Sequence, residues 1–93
     1  MSIADLDLEC RLLQIAEECS ELAQAALKLI RVRNMQSPAT LEEVQHNLIE
    51  EIADVSVCMT ALSDIAPQKE VCEIIGYKAK RWDDRINGVD HEE

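Results

Sequence analysis

Apolar residues recur in steps of three and four along the first third of the chain. Leu8, Leu12, Ile15, Cys19, Leu22, Ala26 and Leu29 form one seam, and Leu13, Ala16, Ala23, Leu27 and Ile30 widen it into a stripe. That is the period of an α-helix with one broad apolar side. Ser2 followed by Asp5 has the spacing of a capping box, and the period persists to about Arg33, so a first helix is expected over that range. Arg31 and Arg33 suit its negative C-terminal end. Residues 34–39, Asn-Met-Gln-Ser-Pro-Ala, break the period. Thr40 and Glu43 then form a second capping box, opening a helix expected to run to about Asp64. Pro67 fits the first turn of a third helix, which carries Val71, Ile74, Ile75, Trp82 and Ile86 and stops at Asn87-Gly88. Gly76 weakens its interior a little.

Composition supports the helical reading. Hydrophobic residues make up 47% of the 93, yet there is one Trp, one Tyr and no Phe, so any core is built from interdigitated aliphatic side chains. Two Gly and two Pro leave little material for tight hairpins. The fold class expected is all-α: three main helices, two of them long and antiparallel. Three helices do not easily cover a stripe as wide as the first one, so self-association into a four-helix-type bundle is expected, as a homodimer or homotetramer. Residues 1–88 read as one domain and 89–93 as a short polar tail.

Charge narrows the partners. Nineteen acids against nine bases give a net charge of −10, which disfavours nucleic acid and anionic membranes. A polyphosphate remains open as a partner if divalent cations stand between the charges. No long apolar run or basic leader is evident, and the expected compartment is cytoplasmic. Cys10, Cys19, Cys58 and Cys72 form no C-x-x-C pair and have no His at finger spacing, which suits small reduced core residues.

The second helix contains a misfit. Its seam runs Leu41, Val44, Leu48, Glu51, Val55, Cys58, Leu62, so an acid occupies an otherwise apolar row, with Asp54 one turn further on. A carboxylate in that setting is unfavourable by several kcal/mol, on the order given for buried ions, unless a cation or hydrogen bonds compensate it. Glu18 and Glu21 repeat the i, i+3 relation on the first helix, in the row Arg11, Gln14, Glu18, Glu21, Ala25 that borders the main seam. If the two helices pack antiparallel, the two acidic pairs face each other, raise each other's pKa and suit a hard cation such as Mg²⁺. Acids at i, i+3 are mostly a solvated face. That ordinary explanation serves Glu42, Glu43 and Glu50 but not Glu51.

Lys78, Arg81 and Arg85 fall at i, i+3, i+7 on the third helix, with Lys80 and Trp82 beside them. They are either favourable C-terminal charge with salt bridges, or a phosphate clamp. Trp82 is either core or a base-stacking surface. Ser20, Ser56 and Ser63 have no His at a helical relation that would activate them, and no glycine-rich phosphate loop is present. His46 lies away from the seam and is expected to be exposed.

Taken together, Glu17-Glu18-Cys19-Ser20-Glu21, Glu50-Glu51-Ile52-Ala53-Asp54 and Lys78 to Arg85 (KAKRWDDR) resemble the MazG-like nucleotide pyrophosphohydrolases of the all-α NTP pyrophosphatase superfamily. The family pattern is E-E-x-x-E on one helix, E-x-x-D on the next and a basic helix after it, so the resemblance spans about residues 8 to 87. It implies Mg²⁺-dependent hydrolysis of a nucleoside triphosphate between the α- and β-phosphates, giving monophosphate and pyrophosphate, with Mn²⁺ as a substitute ion. It also implies Glu18, Glu21, Glu51 and Asp54 as metal ligands and Glu17 as the residue that orients or deprotonates water. Lys78, Arg81 and Arg85 would hold phosphate oxygens, and assembly would be dimeric or tetrameric. Asp54 is followed by Val55-Ser56-Val57-Cys58, unlike the tyrosine-histidine pair typical of the phosphoribosyl-ATP branch, and the chain lacks the extra helices of the dimeric dUTPases. Two other classes stand beside this one. A non-catalytic helical oligomerisation module with an acidic surface would gain no stability from Mg²⁺. A di-iron four-helix protein would want Glu-x-x-His pairs, which neither acidic motif supplies.

Overall fold

Thr40 shows how this sequence starts a helix. Its hydroxyl accepts from the Glu43 N–H at 3.2 Å while the Glu43 carboxylate accepts from the Thr40 N–H at 3.3 Å. The computed structural model describes residues 1–88 and contains three α-helices: α1 (Leu8–Arg33), α2 (Leu41–Thr60) and α3 (Gln68–Ile86). A 3₁₀ turn over Ile3–Asp5 precedes them, and no strand occurs among the described residues. The chain is all-α. The expected tail, 89–93, lies outside the described residues. Among the described residues, no helix is long and apolar enough to cross a membrane.

Two boundaries differ from the sequence reading. The Ser2–Asp5 box caps the 3₁₀ turn, and α1 is opened by Asp7, whose carboxylate accepts from the Cys10 N–H at 2.8 Å. That contact holds the Asp7 carboxyl below its ordinary value. The second helix stops at Thr60, four residues early, because the chain tightens there: the Leu62 N–H donates to the Met59 carbonyl three residues back, at 3.1 Å. Pro67 stands immediately before α3, at the N-cap position.

The end of α1 is a tight left-handed cap. Gln36 N–H reaches the Arg31 carbonyl at 2.8 Å and Met35 N–H the Val32 carbonyl at 3.0 Å, the paired bonds of a Schellman motif. Met35 sits at φ 59°, a conformation that disfavours a side chain, and is 91% exposed, so it gains little from burial. Met35→Gly is expected to stabilise the protein by about 1 kcal/mol, read as a shifted denaturant midpoint. Gly88, after α3, adopts φ 75° without that penalty.

By its internal contacts the chain divides into two compact units, Met1–Leu62 and one beginning at Ser63, and each is described by itself. The first unit is a helical hairpin of α1 against α2. Its direction is antiparallel, since Arg11 at the start of α1 bonds the carbonyl of Ala61 just past the end of α2, at 2.9 Å. Val44 and Ala25, each 2% exposed, are the most buried pair, and the small Ala25 side chain lets the helices approach. The α2 seam faces inward except at its first residue: Val44, Cys58 and Leu62 are buried, Leu48, Glu51 and Val55 are half-buried, and Leu41 is exposed.

On α1 the expected core row is only partly covered. Ile15, Leu22 and Leu29 of the apolar seam are half-buried, but Leu8, Leu12, Cys19 and Ala26 are exposed, along with Leu13, Leu27 and Ile30. The bordering row supplies buried Arg11 and Ala25 and half-buried Gln14 and Glu18, with Glu21 exposed. A single neighbour covers only one edge of so wide a stripe. The cysteines divide accordingly: Cys58 is buried, Cys10, Cys19 and Cys72 are exposed, and all four are free thiols. The second unit carries α3, in which Arg81 lies over the Tyr77 ring at 5.8 Å and Lys80 pairs with Asp84 at 2.9 Å. Trp82 is exposed and is therefore not core in this chain.

Candidate metal centre in the helical hairpin

Antiparallel packing puts the acidic turn of α1 opposite that of α2. Glu18, Glu51 and Asp54 each present a carboxylate oxygen, and these atoms lie within 4.8 Å of one another. Glu18 and Glu51 are half-buried and Asp54 is exposed, so the group sits at the mouth of the helix interface. One oxygen of Glu18 is held by Gln14, whose amide donates to Oε1 at 2.9 Å. The other, Glu18 Oε2, is buried without a hydrogen-bond partner, and so is Glu51 Oε2. Buried polar atoms are normally satisfied, so two orphaned acceptors in one cluster of like charge mark a place for a positive group.

The electrostatics agree. The Glu18 carboxyl is raised above its ordinary 4.5, first by loss of solvent and next by the Glu21 charge, with Asp54 adding to it and the Gln14 bond opposing. Burial also pushes the nearby Cys58 thiol up, assisted by the Glu18 and Asp54 charges. A carboxyl raised in the folded state binds protons that the unfolded chain has already released. Its contribution is therefore most favourable below 4.5 and is lost as pH rises through the raised value. The Glu18 contribution should be lost over that window, so the difference in thermal unfolding between wild type and Glu18→Gln at stepped pH should grow in favour of the variant as pH rises through it.

The donor set fits a hard cation. Around Mg²⁺, with oxygens at about 2.0–2.1 Å, neighbouring ligand atoms stand roughly 3–4 Å apart. The ligand atoms of Glu18, Glu51 and Asp54 lie within 4.8 Å of one another, slightly wider than that spacing. Glu21 is outside the trio but near enough to Glu18 to raise it, and it lines a neighbouring cleft with Glu51.

The remaining residues singled out from sequence are distributed as follows. Glu17 is exposed on α1 and outside the trio. Lys78, Arg81 and Arg85 share a face of α3 in the second unit, with Lys78 and Arg85 exposed and Arg81 half-buried. His46 is exposed and touches Glu50 at 2.8 Å. The Ser56 hydroxyl donates to the Ile52 carbonyl at 2.8 Å, the ordinary arrangement of a helical serine. Gln14 was missed as a site residue although it stands four residues from Glu18, where an amide–carboxylate pair is a standard helical contact. Lys28, Arg31 and Asn47, which line the cleft beside Glu21 and Glu51, were also missed.

Compared with known proteins, the chain matches no family model, no curated protein and no solved structure.

Proposed function

We propose that the hairpin is the catalytic unit of a Mg²⁺-dependent nucleoside triphosphate pyrophosphohydrolase, cleaving between the α- and β-phosphates to give the monophosphate and pyrophosphate. One observation carries the reading. Glu18, Glu51 and Asp54 converge within 4.8 Å, and both glutamates keep a buried oxygen without a partner. The resemblance of the three motifs to MazG-like enzymes supplies the reaction, and three of the four ligands it implies, Glu18, Glu51 and Asp54, stand together while Glu21 lies outside the trio.

Glu18, Glu51 and Asp54 would hold the ion, with Glu21 joining from the next turn of α1. A bound divalent cation supplies charge neutralisation for phosphate oxygens and a lowered pKa for a bound water. Phosphoryl-type displacement needs such neutralisation and in-line placement of water more than covalent help. Gln14 fixes one oxygen of Glu18, and the other is buried without a hydrogen-bond partner. Glu17 would accept the proton of the attacking water; Lys78, Arg81 and Arg85, on α3 of the second unit, are the phosphate-gripping residues that the resemblance implies.

Self-association belongs to the same proposal. Leu13, Leu27 and Ile30 on α1 and Ile49 on α2 each remain more than half exposed in the single chain. Two hairpins burying these faces would complete a four-helix bundle. Light scattering on a sizing column should give at least twice the 10.5 kDa chain mass. A monomer would contradict the bundle.

The functional test is incubation of the pure protein with NTPs and dNTPs plus Mg²⁺, followed by chromatography of the products. Monophosphate and pyrophosphate should appear together and vanish on chelation. Inertness across the panel, with no stabilisation by Mg²⁺, would favour the non-catalytic oligomerisation module.

A further inference from the structure

Beside the carboxylate trio, the hairpin contains a cleft of about 250 Å³ lined by Glu21, Gln24, Ala25, Lys28, Arg31, Asn47 and Glu51. Glu21, Gln24, Lys28 and Arg31 fall at i, i+3, i+7 and i+10, so they stand along one side of α1, while Asn47 and Glu51 are one turn apart on α2. On α1 the cations Lys28 and Arg31 stand C-terminal to the carboxylate Glu21, so the cleft is lined by both signs of charge.

The cations are unspent. Acids outnumber bases nineteen to nine, yet neither Lys28 nor Arg31 makes an ion pair or a side-chain hydrogen bond among the described residues. Favourable charge at the C-terminal end of α1 accounts for Arg31, which lies in the last turn, but not for its meeting Lys28 and an amide over one cavity. The volume falls short of the roughly 300–1,000 Å³ that encloses a drug-sized ligand, so the cleft suits a fragment.

Resting on the pyrophosphohydrolase reading, we infer that Lys28, Arg31 and Asn47 form an oxyanion subsite that holds the pyrophosphate part of the substrate next to the metal-binding carboxylates. The guanidinium offers a bidentate fork, the ammonium a point charge and the amide a neutral donor. Glu21 and Glu51 repel a free anion from the same cleft, so occupancy requires a divalent cation on the carboxylates. That couples the two halves of the site and makes anion binding metal-dependent.

The experiment is calorimetric titration of inorganic pyrophosphate into the full chain with Mg²⁺, in wild type, Lys28→Gln/Arg31→Gln and a charge-matched control, Arg33→Gln/Lys69→Gln. Mg²⁺ binding is measured separately in each, and thermal unfolding confirms that each is folded. Pyrophosphate affinity should fall at least tenfold in the first double variant, with Mg²⁺ binding kept, and stay near wild type in the control. Equal affinity in wild type and Lys28→Gln/Arg31→Gln would overturn the subsite. So would an equal loss in the control, or a wild type that binds Mg²⁺ but no pyrophosphate, and each of these leaves the metal centre standing. A wild type that binds no Mg²⁺ would overturn the metal centre and the subsite together.

Discussion

Glu51→Gln should lower nucleotide hydrolysis by about 10³-fold, equivalent to roughly 4 kcal/mol of barrier, while the metal-free protein unfolds at the same temperature as wild type or higher. The two halves of this expectation have one cause. Glu51 lies within a row that is otherwise apolar and puts an unpartnered, buried oxygen against Glu18 and Asp54. Without a cation, that oxygen brings like-charge repulsion and incomplete solvation, so a neutral amide of the same shape relieves the fold. With a cation, the same oxygen is a ligand that the amide replaces poorly. Kinetics on NTP with Mg²⁺ and thermal unfolding in chelator read the two effects separately. A large loss of metal-free stability in Glu51→Gln would make the residue structural.

Arg11→Ala should have the largest effect on stability, about 2–3 kcal/mol, measured by denaturant unfolding. Arg11 is 8% exposed and closes the open end of the hairpin. Its Nε donates to the Leu6 carbonyl and its Nη1 to the buried Ala61 carbonyl, both at 2.9 Å. Ala61 caps α2, so its carbonyl belongs to the negative pole of that helix, where a cation is favoured. Truncation leaves these carbonyls without the guanidinium and opens a gap where the side chain lay. Helix α2 should fray from this end in hydrogen exchange, while the cap at Thr40 stays protected.

How much of this was legible follows from which signals are local. The start of α2 could be read from Thr40 and Glu43 and the end of α3 from Asn87-Gly88, because caps are made within a few residues. The same local rule misplaced the start of α1, since the Ser2–Asp5 box is equally well used by a 3₁₀ turn. The inward side of α1 was only partly legible: Ile15, Leu22 and Leu29 of the expected seam are half-buried, but the fully buried residues, Arg11 and Ala25, lie in the bordering row. Its apolar stripe is so broad that periodicity alone does not choose which edge α2 covers. The choice is marked by the burial of the small Ala25 and by Arg11 reaching a carbonyl fifty residues away. A sequence pattern shows neither.

The candidate site divides the same way. Glu51 was visible because a charge interrupts an apolar row, and Asp54 and Glu18 followed from i, i+3 spacing and antiparallel packing. Arg31 was read only as ordinary charge at a helix C-terminus, and Lys28 carried no signal of its own. Only the cleft they share with Asn47 distinguishes them.

The central claim is that three carboxylates on one helical hairpin form a single divalent-cation site. Titration of Mn²⁺ into metal-free protein, followed by the electron paramagnetic resonance of the free ion, tests it most directly. Wild type should remove the free-ion signal up to a defined stoichiometry and release it to excess Mg²⁺, while Glu51→Gln and Glu18→Gln should leave the signal nearly untouched. Undiminished signal with wild type, or equal uptake by Glu51→Gln, would contradict it.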